Sequence, residues 1–340
     1  MYNTSQVILR NADRLEKLET LVLNPPADPL LAQLALPVRS LTWDYSVFLA
    51  LQQYQKNPVE FAVQPSARGP YDQALIFMSK AQAEFSLLWQ QACAHVKPGS
   101  SVWIVGEKRE GIHSAAKRLA DAGVRLVKVD SARHCQLWQA LAPENVSPPV
   151  LEDLYQSFEM PWADRKLTIC SLPGVFGVGR LDEGTALLLE HLGEVPAGRV
   201  LDFGCGAGVI GACLKATQPK AEVHLVDIHA MALESARRTL AINDLSGEVY
   251  PSDGLGQVSG KFRAIYTNPP FHAGVKTDYR VTTQMIRDAR DHLEQGGELR
   301  LVANAFLHYP ELIQEVFGNC ETLAQTSKFR VLRAVNGQGR

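Results

Sequence analysis

Between Arg199 and Asn243 the chain alternates short apolar, β-branched runs with longer stretches that are apolar on one side only. Arg199 to Phe203 and Glu222 to Asp227 have the length and composition of buried strands, whereas Ala207 to Gln218 and His229 to Asn243 have a helical period. In the last stretch Ala232, Leu233, Ala236, Leu240 and Ala241 fall toward one side and Arg237, Arg238 and Asn243 toward the other. Strands alternating with helices in this way predict βαβ units, a parallel sheet and helices on both of its faces.

The pattern recurs. Pro98 to Glu107 aligns with Gln295 to Asn304, and Asp130 to Ala140 with Gln325 to Ala334, each pair about 195 residues apart with a helix-length segment between the two matches. A duplicated α/β domain is expected. Between the copies lies Pro143-Glu-Asn-Val-Ser-Pro-Pro-Val150, whose prolines deny a helix or a central strand its hydrogen bonds, and the linker is placed there. The length of 340 residues agrees with about two domains.

Composition narrows the class. With 46% hydrophobic and 21% charged residues the chain is of the ordinary globular kind, not disordered or fibrous. Its longest apolar runs fall far short of a spanning helix, and the start lacks a basic, apolar leader, so a cytoplasmic protein with no membrane segment is expected. Six scattered cysteines, with no CxxC and no histidine cluster, read as free thiols and argue against a metal site. The formal net charge of −2 does not advertise a polyanionic partner, which would need a local basic face.

Candidate chemistry begins at Val200-Leu-Asp-Phe-Gly-Cys-Gly-Ala-Gly208, a strand running into a glycine-rich turn that opens a helix. Gly204, Gly206 and Gly208 permit a tight turn and bring a ligand close to backbone amides. Gly206 to Gly211 also satisfies the GxGxxG dinucleotide fingerprint, with Asp227 about 20 residues on to hold a ribose, so the turn alone leaves two nucleotide cofactors open. Asp202 tilts the choice: a carboxylate at the strand's end suits an ammonium group and repels a pyrophosphate. Further on, a strand ends in Asn268-Pro269-Pro270-Phe271. The prolines stiffen the backbone and donate nothing, leaving acceptors for an exocyclic amino group.

These stretches resemble class I S-adenosylmethionine (SAM) methyltransferases. The resemblance implies that Asp202, Gly204, Cys205, Gly206, Gly208, Asp227, Ile228, Ser252, Asp253, Gly254 and Asn268 line the cofactor pocket, Asp227 at the ribose and Ser252 to Gly254 at the adenine. It also implies that Asn268 and the Pro269 carbonyl hold the two hydrogens of a planar NH₂, that Pro270 stiffens the turn, and that Phe271 stacks on the base. Asn268 to Gly274, Leu172 to Leu189 and Gly297 to Phe306 are similar to the bacterial ribosomal RNA guanine-N2 methyltransferases, and Ser5 to Asp13 to their small-subunit branch. From that branch follow a 16S rRNA substrate on the small ribosomal subunit, guanine 1207 as target, and a monomeric enzyme. Phe176, Arg180, His272, Lys276 and Arg280 are the candidate RNA contacts. The fold expected is two tandem Rossmann-like methyltransferase domains, 1–148 degenerate and serving substrate docking or folding, 149–340 catalytic. In the degenerate copy Met78-Ser79-Lys80 is expected opposite Asn268-Pro269-Pro270, and Val38 to Tyr45 near the lost glycine turn. A protein glutamine-amide methyltransferase, a non-catalytic RNA-binding assembly factor and, more remotely, a NAD-dependent dehydrogenase are the alternatives.

Overall fold

The computed structural model describes residues 1–15, 17–54, 57–66, 69–269 and 276–337, with the backbone alone for 276–278. The chain folds as two compact units, Met1–Leu154 and Tyr155–Arg340.

The first unit holds one sheet of seven strands: β1 (Thr20–Leu23), β2 (Val38–Thr42), β3 (Val59–Phe61), β4 (Gln73–Phe77), β5 (Ser101–Glu107), β6 (Leu126–Ala132) and β7 (Cys135–Leu141). Their order is β3-β2-β1-β4-β5-β7-β6, with β6 and β7 antiparallel additions to a parallel sheet. The second unit opens with an antiparallel hairpin, β8 (Gln156–Trp162) and β9 (Arg165–Ser171). Its main sheet then adds β10 (Arg199–Phe203), β11 (Glu222–Asp227), β12 (Glu248–Pro251), β13 (Phe262–Thr267), β14 (Leu293–Asn304), β15 (Glu321–Gln325) and β16 (Phe329–Val335). The order β12-β11-β10-β13-β14-β16-β15 is that of the first sheet with every strand moved nine places along the chain. Duplication is thus visible in topology as well as in sequence.

Central parallel strands are covered on both faces, which is why β10 and β13 read as nearly unbroken apolar runs. Leu201, Ile265, Leu299 and Leu301 pack with Ile286 and Ile313 of the helices Lys276–Ala289 and Tyr309–Phe317. Each is essentially inaccessible to water, a burial contributing roughly 1.5–3 kcal/mol per side chain. The helix Ala230–Ile242 lies within the predicted stretch and buries Ala232, Leu233, Ala236 and Leu240 with Arg237 exposed, as the pattern predicts; its last positions depart from it. Asn243 is buried and Ala241 exposed. Ser235, Thr239 and Asn243 form a stripe along β9, accepting from the backbone N–H of Leu172 (2.9 Å), Cys170 (3.0 Å) and Thr168 (2.9 Å). Two helical turns advance as far as four strand residues, so every second N–H of the strand meets one acceptor. All six cysteines are free thiols, and only Cys320 is not buried.

Register corrects two sequence superpositions in the first unit. Leu23 pairs with Leu41 and Ile76 as Phe203 pairs with Val226 and Thr267, so Phe77, not Met78, takes the place of Asn268. Val38–Thr42 is β2, the counterpart of β11, and the glycine turn's counterpart is Asn24-Pro25-Pro26 after β1. Asn24 keeps the left-handed backbone of Gly204, φ 56° against 68°, a conformation asparagine tolerates better than most residues. Two prolines then remove the amide hydrogens that a ligand-binding turn needs. The insertions between strands differ in the two copies, so an offset read from β5 and β14 does not carry over to β1 and β4.

Candidate active site

Order in the second sheet reverses at β10, which lies between β11 and β13, and ligands of open α/β sheets bind at the carboxyl ends of strands at such a point. Phe203 is in register with Val226 on one side and Thr267 on the other. Gly204, Asp227 and Asn268 therefore leave the sheet side by side. The Thr267 hydroxyl donates to the Phe203 carbonyl at 2.8 Å, and the N–H groups of Gly204 and Cys205 both donate to the Val226 carbonyl at 2.9 Å. Asp227 is paired with Pro251, and the Ser252 N–H reaches the Asp227 carbonyl at 3.0 Å, which brings Ser252, Asp253 and Gly254 to the same edge.

The turn itself is built around Asp227. One carboxylate oxygen accepts from the Gly206 N–H and the other from the His229 N–H, both at 3.0 Å, so the side chain fixes the turn and the start of the next helix together. Gly206 needs this freedom, with φ 51°, and a Cβ built on Gly204 or Gly206 meets nothing within 4 Å. The backbone of the turn thus faces open space. Burial raises the Asp227 pKa, against the lowering influence of its backbone hydrogen bonds. Asp202 is fully buried, and one oxygen accepts from the Gly211 N–H at 2.8 Å. Its other oxygen has no hydrogen-bond partner among the described residues. Burial pushes Asp202 up to about 7, with the Gly211 bond opposing and the charge of Asp227 adding to the rise.

A SAM molecule fits this donor set. The open glycine turn, the paired acceptors of Asp227 with lone pairs to spare, the orphaned oxygen of Asp202 and the open face at Gly254 share one sheet edge. Cys205 is buried and its thiol raised well above the usual range by that burial; Ile228, next to Asp227 in sequence, is half-buried. Ser252 is buried with its hydroxyl donating to the Gly254 carbonyl at 2.8 Å, whereas Asp253 is exposed and its N–H donates to Gln257 Oε1 at 2.7 Å.

Asn268 is half-buried and Pro269 buried immediately beyond β13. Pro270, Phe271 and His272 lie outside the described residues, as does the side chain of Lys276. Phe176, 63% exposed, and Arg180, also exposed, precede the helix Glu183–Glu190, and Arg280 is exposed on the helix Lys276–Ala289. Two residues that the sequence reading missed touch Asn268 directly: its Nδ2 donates to Asp182 Oδ2 at 3.0 Å and to Thr185 Oγ1 at 2.8 Å. The signal for Asp182 was present, because Asp-x-x-Thr before a helical run marks an N-cap.

Doubly wound sheet, open glycine turn and an Asn-Pro on the adjoining strand end together define a class I methyltransferase, here built twice in tandem. Residues 166–333 match the family described as methyltransferase small domain, and residues 5–158 its N-terminal domain. The ribosomal RNA small subunit methyltransferase C of Stutzerimonas stutzeri is 46% identical over 98% of this chain and 99% of its own length, and that of Hahella chejuensis 44% over 98% of each. A solved structure of the T. thermophilus 16S rRNA N2 G1207 methyltransferase, in complex with AdoMet and guanosine, superposes with a TM-score of 0.83 at 25% identity, covering 98% of this chain and 92% of the other. The chain belongs to the ribosomal RNA small subunit methyltransferase C family.

Proposed function

We propose that the chain transfers a methyl group from SAM to the exocyclic N2 of a guanine in 16S rRNA of the small ribosomal subunit, at the position named G1207 in the T. thermophilus relative. The observation that carries this reading is the adjacency of Asn268-Pro269 to the open glycine turn across one β10–β13 register. Full-length identity to relatives of that name supports the RNA as substrate.

Asp227 accepts from the ribose hydroxyls, and the backbone from Ser252 to Gly254 borders the adenine. Asp202, ionised, offers its orphaned oxygen to positive charge at the methionine end. SAM supplies an activated methyl, so what this chain must add is placement. Asn268 Oδ1 and the Pro269 carbonyl accept the two N–H hydrogens of the guanine amine, which turns the nitrogen lone pair toward the glycine-turn pocket. Pro270 and Phe271 keep the roles that the resemblance implies, stiffening of the backbone and stacking on the base. Because N2 is buried in the minor groove of paired RNA, the base must leave its stack to reach Asn268, so unpaired or remodelled RNA is the expected substrate form. Phe176, Arg180, His272, Lys276 and Arg280 surround this approach in sequence and contact the RNA. The first unit, Met1–Leu154, holds no SAM and acts as a docking platform or folding partner.

Mapping tests the reading: purified protein is incubated with labelled SAM and either 16S rRNA or small subunits, and the modified nucleotide is located by nuclease digestion and mass spectrometry. N2-methylguanine at a single 16S position is expected. Label in ribosomal protein instead of RNA would replace the reading with the glutamine-amide one.

A further inference from the structure

The side-chain amide of Asn268 can serve an amine only with its oxygen facing the substrate. Reversed by half a turn, it would present N–H groups to N–H groups. Rotation about the last bond of an asparagine is soft, so something must choose between the two faces. Asp182 Oδ2 lies 3.0 Å from Asn268 Nδ2 and Thr185 Oγ1 lies 2.8 Å from it. A carboxylate accepts and never donates, so with the amide reversed two oxygens would face each other and the Asp182 bond would be lost; the Thr185 hydroxyl, which can donate as well as accept, would serve either face, so Asp182 makes the choice. The assignment of nitrogen and oxygen is dictated by chemistry here. Both N–H hydrogens are consumed inside the protein, which leaves Oδ1 at the opposite end of the planar amide.

The holder is itself held. Asp182 caps the helix Glu183–Glu190, the same Oδ2 accepting from the Thr185 N–H at 2.9 Å. Thr185 is buried in the first turn of that helix, so its hydroxyl is placed by backbone already fixed by the cap. A Cβ on Gly184 would come within 3.1 Å of Asp182 Oδ2 and 3.3 Å of the Phe329 ring, and glycine there leaves the carboxylate its space. One helix start thus sets two acceptors around one amide nitrogen.

We infer that Asp182 and Thr185 are positioning residues of the methyl transfer, locking the Asn268 amide with Oδ1 toward the substrate amine. This rests on the proposed role of Asn268 and adds to it what fixes the face that the base meets. The guanine amine then meets an acceptor already oriented, with no reorganisation left to the bound state.

The test uses the full chain with 16S rRNA or small subunits and SAM at saturation. Asp182→Ser keeps a good helix cap but withdraws the oxygen that reaches Asn268, and Thr185→Val removes the second acceptor without touching the cap. Each is expected to lower kcat roughly 10- to 10²-fold, with the SAM Kd and the KM for RNA within about twofold of the parent. Asp182→Asn, which retains an accepting oxygen at the same reach, is expected to restore kcat to within about threefold. Placed on Asn268→Ala, Asp182→Ser should cost nothing more, because the amide it orients is gone. Full turnover of Asp182→Ser and Thr185→Val beside a disabled Asn268→Ala would overturn the inference and spare the role of Asn268. Losses that multiply in the double variant would also overturn it, since they would mark an independent structural contribution. An active Asn268→Ala would remove the reading on which it rests.

Discussion

Asp202 is the last residue but one of a buried parallel strand, fully inaccessible, where its neighbours are Leu201 and Phe203. Burial raises its pKa to about 7, so between the ordinary carboxylate range and that value the folded chain holds a proton that the unfolded chain has released. This group's unfavourable contribution is therefore absent in acid, grows as pH rises from about 4, and is complete above about 7. Asp202→Asn removes the ionisation while keeping an acceptor for Gly211. Comparing urea midpoints at pH 5 and pH 8, the variant should gain on the parent at the higher pH by a few kcal/mol at most. Parallel behaviour of the two proteins would show that Asp202 titrates normally. At this scale the sequence was legible wherever a residue type is tied to a local backbone: Gly204, Gly206, Asp227 and Asn268 all stand at the edge where the strand ends were expected. Asp182 and Thr185 were not, because their partner Asn268 is more than 80 residues away and only the fold brings them together.

Among the elements, the helix Ala230–Ile242 shows how a pattern can be right in period and largely in face yet miss what its polar positions do. Serine, threonine and asparagine at four-residue spacing look solvated in a sequence. Here they cover the open side of β9, whose alternate N–H groups would otherwise be buried without acceptors. Ser235→Ala and Thr239→Val each strand one such donor and should cost about 1–3 kcal/mol in denaturant unfolding, with the SAM Kd unchanged. A neutral effect would mean that water replaces the lost hydroxyl. The hairpin β8–β9 itself was not anticipated, since its residues carry no strong turn signal and its stabilisation comes from a helix far along the chain.

For the whole molecule, the two sheets share one strand order, yet only the second keeps a turn that can receive a cofactor. Calorimetric titration of the full chain should find one SAM per chain; two sites would contradict the loss argued from Pro25, Pro26 and Phe77. The near-neutral total of −2 conceals local charge, with Arg280 and Arg287 on the helix that follows Asn268 and Pro269 in sequence and Lys276 at its start. Phosphate contacts by these three would make the apparent RNA affinity fall roughly 20-fold between about 50 and about 200 mM salt. An affinity indifferent to salt would point away from RNA. Duplication was readable from β5, β7, β14 and β16, where the two copies stay about 195 residues apart, and illegible at β1 and β4, where insertions shifted the match. Each sheet draws all seven of its strands from its own copy, with none exchanged. Shape and strand-end chemistry have thereby come apart: the first sheet keeps the strand order with Asn24-Pro25-Pro26 and Phe77 where the second has Gly204 to Gly206 and Asn268. Saturation mutagenesis scored by methylation should register that difference, with tolerance at Asn24 to Pro26 where Gly204 to Gly206 permit almost no change.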